Sequence, residues 1–323
     1  MLKYKLLEYL KSSDGFVSGE ELGERLGVSR SAVWKEIRSL RNDGYNIEAV
    51  TNRGYVLRDI GDVLNSSEIN TIKEGCVIGK DVVCYNDVDS TNSVCKIEAL
   101  NGAEEGMVIV AETQSGGRGR LGRTWNSQRG EGVYMTVLLR PDIDPSKLSS
   151  ITLSAGLAVC EALNKDFGLK TQIKWPNDII LNGKKICGIL TEMSGQLQKV
   201  DFVVVGIGIN VNVINFPDEI KDKATSIFIE TGEKFKRSPI AKSVLIHFDE
   251  IYKKFVEKGF AAIKEDYEKN CVNIGRKVCV ISRESSFEAL AVETSDNGEL
   301  VVLCDNGQKK EVFSGEVSVR GVY

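Results

Sequence analysis

Glycines and arginines alternate in one stretch of this chain, Gln114-Ser115-Gly116-Gly117-Arg118-Gly119-Arg120-Leu121-Gly122-Arg123-Thr124-Trp125, which we call the Gly-Arg loop. Its four glycines let the backbone adopt positive φ angles and approach a ligand closely, because no Cβ obstructs them. Its three arginines carry planar guanidinium groups that suit a phosphate or a carboxylate. Since such crowded like charges repel one another without an anion to share, the loop is predicted to bind an anion. A surface hairpin loop with solvated charges is the alternative.

The same loop contains Gly117-x-Gly119-x-x-Gly122, which matches the dinucleotide-binding fingerprint. That fingerprint needs a helix to begin inside the loop, so that the helix N-terminus faces a pyrophosphate. Residues 124–131 are polar without helical apolar spacing, and residues 133–139 are typical of a strand. The strand–loop–strand order argues against a Rossmann unit. The missing His-Arg-Asp motif argues against a protein kinase.

The length and charge of the chain set broad limits on its organisation. Its 323 residues exceed what one hydrophobic core usually holds, so two or three domains are expected. The hydrophobic share of 42% is that of a globular protein rather than a disordered one. A net charge of −4 gives no overall basicity to attract nucleic acid, but residues 1–58 carry ten Lys/Arg against eight Asp/Glu.

Cysteine usage and the start of the chain indicate a cytoplasmic protein. The eight cysteines are dispersed without a Cys-x-x-Cys pair, which argues against a zinc site and for reduced thiols. Met1-Leu2-Lys3-Tyr4-Lys5 lacks the apolar core of a signal peptide, and no apolar run of 18 residues is present. We therefore expect neither export nor a membrane span.

Residues 1–60 are predicted to form a winged helix-turn-helix domain that binds DNA. Ser18-Gly19-Glu20-Glu21 is a capping box that opens a second helix, Gly27 ends that helix, and Ser29 caps a third. A hairpin over residues 45–57 supplies the wing. A small helical protein-interaction module is the alternative. DNA contacts are expected from the outward side of the third helix and from the wing, namely from Arg30, Ser31, Lys35, Arg38 and Arg53.

Residues 68–270 are predicted to form a central domain of strands and helices. Asp89-Ser90-Thr91-Asn92 places four hydrogen-bonding side chains before a helix, as an ordinary N-cap or as a cap that also faces a ligand. In Lys174-Trp175-Pro176-Asn177-Asp178 the proline predicts a kinked strand with Asn177 and Asp178 at the bend.

Two further stretches of the central domain carry glycines inside apolar runs. A turn at Asn182-Gly183 leads into a strand that Lys185 opens. Gly206-Ile207-Gly208-Ile209-Asn210 ends a second buried strand, with glycines where a ligand or another backbone can touch. Residues 271–323 then change to short β runs with turns at Asn297-Gly298 and Asn306-Gly307, which indicates a small barrel.

Together these motifs resemble those of the bifunctional biotin–protein ligases that also repress the biotin operon. The resemblance spans all three regions and is carried by residues 117–125, 174–178, 185–190 and 206–210. It implies an α+β, multidomain fold. The implied parts are a winged helix-turn-helix, a central mixed β-sheet with flanking helices of the class II synthetase-like biotin ligase type, and an SH3-like C-terminal β-barrel.

The resemblance also implies a two-step reaction. Biotin and MgATP give biotinyl-5′-AMP and pyrophosphate, and a lysine of a biotin carboxyl carrier protein then takes the biotinyl group. Magnesium is expected with ATP, and we assign it no protein ligand. Operator DNA of biotin genes and a ligand-dependent homodimer are the other implied partners, with residues 211–223 and the Gly-Arg loop ordering around the adenylate.

Three sets of site residues follow from the resemblance and from the chemistry. Bringing two anions together makes the barrier of the first step largely electrostatic, so cations are needed. The catalytic set is Lys185 between carboxylate and α-phosphate, Arg120, and Asp178, our candidate for orienting the acceptor lysine. The biotin-binding set is Ser90, Thr91, Asn92, Gln114, Gly117, Arg118, Lys185, Gly188 and Gly206. The adenylate-binding set is Arg118, Arg120, Arg123, Trp125, Asn177, Asn210 and Arg320.

Two other functions stay open at this point. A lipoate or octanoate–protein ligase shares the general fold and an acyl-adenylate route, although the Gly-Arg loop together with residues 174–178 favours biotin. A non-catalytic, biotin-sensing repressor would use the central domain only to bind its ligand.

Overall fold

The computed structural model describes residues 2–42, 44–71, 75–196, 199–281, 286–313, 316–319 and 322. The chain divides into two compact units, Met1–Val63 and Leu64–Tyr323. The domain limits 1–60, 68–270 and 271–323 stay predictions, and the C-terminal strands share the second unit with the central sheet.

The first unit consists of three helices and a two-stranded sheet, as the capping signals predict. Ser18 accepts the Glu21 N–H at 3.0 Å, Gly27 takes φ +66°, and Ser29 Oγ accepts the Ala32 N–H at 3.2 Å. The elements are α1 (Leu2–Lys11), α2 (Gly19–Leu26), α3 (Arg30–Asn42), β1 (Asn46–Val50) and β2 (Gly54–Asp59). Their apolar faces share a core that includes Leu6, Leu22, Val33, Ile37 and Leu40.

The second unit is built on a seven-stranded sheet. Its helices are α4 (Ser66–Ile69), α5 (Thr91–Leu100), α6 (Leu148–Phe167), α7 (Ile227–Thr231), α8 (Arg237–Lys258) and α9 (Lys264–Asn270). Its strands are β3 (Val82–Val88), β4 (Val108–Gln114), β5 (Gly132–Leu139), β6 (Gln172–Lys174), β7 (Asp178–Leu181), β8 (Lys184–Gln196) and β9 (Lys199–Asn210). The strand order is β3-β4-β5-β9-β8-β7-β6, and only β3 and β4 pair in parallel, so the predicted mixed sheet is confirmed.

Helices cover both faces of this sheet because its central strands are apolar on both sides. Val137 and Val205 point into the core shared with α6 and α8, whereas Leu138 and Val204 point into a smaller core beneath α5. This alternation is the two-residue period of a strand, and it explains why β5 and β9 are nearly continuous hydrophobic runs.

The stretch around Pro176 forms a hairpin, so the prediction of one kinked strand is wrong. The backbone groups of β6 pair with those of β7, and the register joins Lys174 to Asp178 across a turn that contains a cis Trp175–Pro176 peptide bond. Trp175 is buried, and its Nε1 donates to the Gly298 carbonyl at 3.0 Å. The turn is therefore fixed from the C-terminal sheet.

The C-terminal strands form a five-stranded antiparallel sheet. The predicted hairpins at Asn297-Gly298 and Asn306-Gly307 are confirmed, since the two glycines take φ +91° and +80°. The strands are β10 (Lys277–Ile281), β11 (Ser286–Thr294), β12 (Leu300–Leu303), β13 (Lys309–Val312) and β14 (Glu316–Val319), in the order β13-β12-β11-β10-β14. Within the described part of the chain, none of the helices is long and apolar enough to cross a membrane.

Candidate active site

The Gly-Arg loop leaves β4 and folds back on itself before β5. Bridges join Gln114 to Ser127 and Arg118 to Thr124, and a short 3-10 turn carries Leu121 at φ +57°. The Trp125 N–H donates to the Gly117 carbonyl at 2.9 Å. No α-helix begins here, so the predicted strand–loop–strand order is confirmed. Since part of the loop's N–H groups is used internally, its arginine side chains are the main candidates for binding an anion.

Two adjoining cavities lie along the loop. The larger has a volume of about 570 Å³ and extends from the loop past the turn at Pro176 to residues 213–224. The smaller, about 50 Å³, lies against the start of α5 and the glycines of β8 and β9. Both cavities are lined by Gly119, Arg120, Trp125, Asn177 and Lys185.

Two cations stand at the junction of the cavities. Lys185 Nζ lies 2.5 Å from Asp178 Oδ1 and 5.5 Å from the centre of the Trp125 ring. Arg120 Nη1 donates to Asn177 Oδ1 at 2.8 Å. Neutral and acidic side chains thus hold both cations in place between the two spaces.

A chain of hydrogen bonds forms the wall of the smaller cavity. Gln114 Oε1 accepts from the N–H and the hydroxyl of Thr91 at 2.9 and 3.1 Å, and its Nε2 donates to Ser127 Oγ at 2.8 Å. The hydroxyl of Thr136 lies 2.8 Å from Thr91 Oγ1 and 2.7 Å from Asn92 Oδ1. Ser90 occupies the N-cap position of α5 but makes no side-chain capping bond, which favours a ligand-facing role over an ordinary cap.

Glycines beneath these side chains give them room. An added Cβ at Gly208 would lie 2.5 Å from Trp125 Nε1, and one at Gly188 would lie 2.9 Å from the Trp125 ring. A Cβ at Gly206 would overlap Asn92 Oδ1. The sequence suggested that a ligand or another backbone fills this space. In the structure the side chains of Trp125 and Asn92 pack over these glycines, which also line the smaller cavity, so contact with a ligand there stays a prediction.

The neighbouring thiol is not a nucleophile. Cys187 is fully buried, and this burial raises the pKa of its thiol far above the ordinary range, despite the nearby charge of Lys185. A neutral buried thiol does not form a covalent acyl intermediate at neutral pH.

Comparisons with known proteins place this geometry in a family. The profile of the biotin/lipoate A/B protein ligase family matches residues 85–210, and that of an HTH domain matches residues 3–56. The bifunctional ligase/repressor BirA of Bacillus subtilis strain 168 is 39% identical over 321 residues, which cover 98% of both chains. The chain belongs to the family of bifunctional ligase/repressors.

Two further relatives agree with this family. The bifunctional ligase/repressor BirA of Escherichia coli K12 is 30% identical over 316 residues, which cover 98% of this chain and 96% of its own. The solved structure of a biotin protein ligase from Aquifex aeolicus in complex with biotin and ATP superposes with a TM-score of 0.65 at 36% identity. That match covers 75% of this chain and 99% of the Aquifex chain.

The structure brings most of the predicted ligase residues together. Gly117 does not line either cavity and instead packs against the Trp125 carbonyl. Arg123 and Asn210 line the larger cavity, while Arg320 lies outside the described residues. The smaller cavity is lined by the other predicted biotin-binding residues, Ser90, Thr91, Asn92, Gln114, Arg118, Lys185, Gly188 and Gly206.

The predicted DNA-binding residues lie on the surface of the first unit. Ser31, Lys35 and Arg38 are exposed along α3, as is Arg30 at its start, and Arg53 is exposed in the wing. The Arg53 guanidinium lies 4.3 Å from the centre of the Phe16 ring, which holds it in the wing turn. This arrangement gives both parts of a winged helix a cationic face.

Sequence reasoning missed the residues behind the smaller cavity. Thr136 is fully buried in β5, and Glu192 on β8 bonds both Asn92 and Lys96. For Thr136 the sequence signal is a single threonine inside the apolar run of β5, because such a group is buried only when its hydrogen bonds are satisfied.

Magnesium has no preformed protein cage among the residues that the structure describes. No group of three or more His, Cys, Asp or Glu residues is placed to hold a metal ion there. The carboxylates of Glu131, Asp178 and Glu219 line the larger cavity, and burial raises the pKa of Glu131. One or two carboxylates beside substrate phosphates are a usual setting for Mg²⁺, so the donor set fits an ion that arrives with ATP.

Proposed function

We propose that this chain forms biotinyl-5′-AMP from biotin and ATP and transfers the biotinyl group to a lysine of a biotin carboxyl carrier protein. The observation that supports this most directly is the junction where Lys185 and Arg120 line both cavities. A carboxylate that enters from the smaller cavity meets a phosphate that enters from the larger one between these two cations.

In this proposal biotin's ureido ring occupies an enlarged smaller cavity. The hydrogen-bonded wall of Ser90, Thr91, Asn92 and Gln114 offers the few fixed polar groups that such a ring needs. The Trp125 ring stays packed over Gly188 and Gly208, where it borders this cavity and closes it over the ligand.

The first step is a displacement at phosphorus. A carboxylate oxygen of biotin attacks the α-phosphorus of ATP, and the bond from that phosphorus to the pyrophosphate oxygen breaks. Lys185 and Arg120 stabilise the added negative charge, and one such preorganised donor contributes about 2.7–4 kcal/mol. Mg²⁺ bound with ATP supplies further charge neutralisation on the phosphates.

The second step is an acyl transfer to an amine. The incoming lysine must be neutral, so its ammonium first has to lose a proton near the mixed anhydride. Asp178 orients that ammonium and accepts its proton, after which the amine attacks the acyl carbon and AMP leaves. Asp178 already lies 2.5 Å from an ammonium in this structure, that of Lys185, which supports this role.

We further propose that the first unit is the repressor of biotin genes in a cytoplasmic protein. The exposed cationic residues of α3 and the wing support binding to operator DNA. A homodimer that forms with the bound adenylate would bring two winged helices to two half-sites. Binding to DNA upstream of biotin genes should strengthen with biotin and ATP and weaken steeply with salt. Equal binding without ligand contradicts the coupling.

The ligase proposal is tested by incubating the full chain with biotin, MgATP and a purified carrier domain. Mass spectrometry is expected to show one biotinyl group on the carrier lysine. A parallel incubation with lipoate tests the rival substrate. Transfer of lipoate without transfer of biotin would remove the biotin assignment.

A further inference from the structure

Glu192 contacts the smaller cavity only through another side chain. Its Oε2 accepts from Asn92 Nδ2 at 2.7 Å, and its Oε1 accepts from Lys96 Nζ at 2.6 Å. The residues that line the cavity include Asn92 but not Glu192. Its side chain is 29% exposed, and that of Lys96 is 34% exposed.

The contacts of Asn92 fix which way its amide points. Its Nδ2 donates to Glu192 and to the Leu190 carbonyl at 3.3 Å, so both hydrogens of the amide are used. Its Oδ1 must then accept, and the Thr136 hydroxyl is 2.7 Å away. Gly206 leaves room for that oxygen, because a Cβ there would overlap it.

The hydrogen-bonded wall of the cavity has one donor hydrogen fewer than it has acceptor oxygens. The Thr91 hydroxyl donates to Gln114 Oε1, which leaves Thr91 Oγ1 as an acceptor. The single hydrogen of Thr136 is then shared between two acceptors, Thr91 Oγ1 and Asn92 Oδ1. One acceptor therefore stays available to an N–H group of a ligand. A ureido ring carries two N–H groups, whereas the dithiolane ring of lipoate carries none.

We propose that Glu192 is a positioning residue that selects a ligand with an N–H donor, by holding the Asn92 amide with its oxygen toward the cavity. This inference rests on biotin being the ligand. With a neutral side chain at position 192, the Asn92 amide can rotate so that Oδ1 and Nδ2 exchange places. Its Nδ2 then faces the cavity and the N–H of the ligand. Two donors face each other in that state.

Glutamate suits this role because its carboxylate is ionised whenever the protein is folded near neutral pH. Burial pushes the pKa of Glu192 upward, but hydrogen bonds from Lys96 and Asn92 and the charges of Lys96 and Arg118 outweigh it. The pKa is therefore lowered. Because an ionised carboxylate can only accept hydrogen bonds, it fixes the orientation of the Asn92 amide, with the NH₂ group toward Glu192.

Titration calorimetry on the full chain, with biotin and no ATP, tests this inference. Glu192→Gln is expected to weaken biotin binding about tenfold or more, the effect of losing a hydrogen bond to a charged group. In the complete reaction it raises KM for biotin and leaves kcat at saturating biotin nearly unchanged. The matched control Glu98→Gln makes the same substitution on the neighbouring helix α5 and keeps wild-type affinity.

The reversed pair Asn92→Asp with Glu192→Gln separates positioning from general damage. Asn92→Asp alone places two carboxylates together and is expected to abolish binding. The double variant restores a donor–acceptor pair and recovers part of the affinity, whereas two independent structural defects would add. Unchanged affinity in Glu192→Gln, or additive losses in the double variant, overturns the inference.

Wild-type protein gives a readout that does not depend on how any variant folds. A biotin analogue with one ureido N–H replaced by N–CH₃ should bind at least about tenfold more weakly than biotin. In Glu192→Gln that preference shrinks. Equal affinities of the wild type for both ligands contradict the role of Glu192 but leave the ligase proposal intact, while no binding of biotin at all contradicts both.

Discussion

Lys185 Nζ lies 2.5 Å from Asp178 Oδ1, so the cation proposed for the first step and the carboxylate proposed for the second form one ion pair. Antiparallel pairing of β7 with β8 across the Asn182–Gly183 turn brings them together. An anion at the junction competes with Asp178 for Lys185. Filling the site with biotin and ATP is therefore expected to release Asp178 for an incoming lysine.

Removing the charge of Lys185 should strongly slow the formation of the adenylate. Lys185→Gln is expected to slow biotin-dependent release of pyrophosphate from ATP by a factor of about 10²–10³. Lys184→Gln is the matched control, because Lys184 is exposed and lines neither cavity. Equal losses in the two variants would show that the junction is not where the anions meet.

Asp178 should matter more for the second step than for the first. Asp178→Asn keeps the shape of the side chain but cannot accept a proton, so transfer from preformed biotinyl-5′-AMP to the carrier is expected to slow about a hundredfold. Pyrophosphate release in the first turnover should change little. If a single-turnover experiment finds the larger loss in pyrophosphate release, Asp178 acts in the first step by positioning Lys185 and not in the second step.

A side chain at Gly208 should disturb the Gly-Arg loop. In Gly208→Ala the new Cβ would lie 2.5 Å from Trp125 Nε1, and relieving such an overlap costs about 1–3 kcal/mol. Binding of biotin, measured by calorimetry, should also weaken, because the overlap displaces Trp125. The control is Gly156→Ala on helix α6, where the atom nearest to the new Cβ, Ile189 Cδ1, lies 3.8 Å away. This variant is expected to be stabilised by about 0.4–1 kcal/mol. Normal biotin binding by Gly208→Ala would show that Trp125 is not held there.

Asp249 should make the second unit sensitive to acid. Its Oδ1 accepts the N–H groups of Val77 and Ile78 at 2.7 and 2.9 Å, and Lys253 Nζ binds the other oxygen at 2.6 Å. Burial raises the pKa of Asp249, but these hydrogen bonds and the charge of Lys253 outweigh it and lower the pKa. The stabilisation is therefore fully present above the unfolded-state pKa of about 3.9 and is lost as pH falls through the lower folded value.

Urea unfolding at several pH values measures this effect. Asp249→Ala is expected to cost about 1–3 kcal/mol for each N–H group left without a partner, and it should remove this part of the acid dependence. Lys253→Met keeps both N–H bonds and loses only a half-exposed ion pair, which is worth at most about 1 kcal/mol. A larger loss in Lys253→Met than in Asp249→Ala would refute this account.

Local sequence patterns predicted the helix ends and hairpin turns that depend only on neighbouring residues. Ser18, Gly27 and Ser29 bound the helices of the first unit as expected, since capping depends on groups within four residues. Gly298 and Gly307 mark hairpins for the same reason. At Pro176 local reasoning failed, because whether a bent segment continues as one strand or pairs with itself depends on its neighbours in the sheet.

The amino-acid sequence alone indicated the chemistry. Arginines, a lysine and glycines occur in spacings that suit the binding of two anions, and the first domain has the pattern of a winged helix that suits DNA. Only the folded sheet decided that Lys185 binds Asp178 and that Glu192 orients Asn92, because these contacts join residues from different strands and helices. Side-chain types restrict which groups can bind an anion. The distances and orientations that make a site from them come from the pairing of distant segments, which no local pattern encodes.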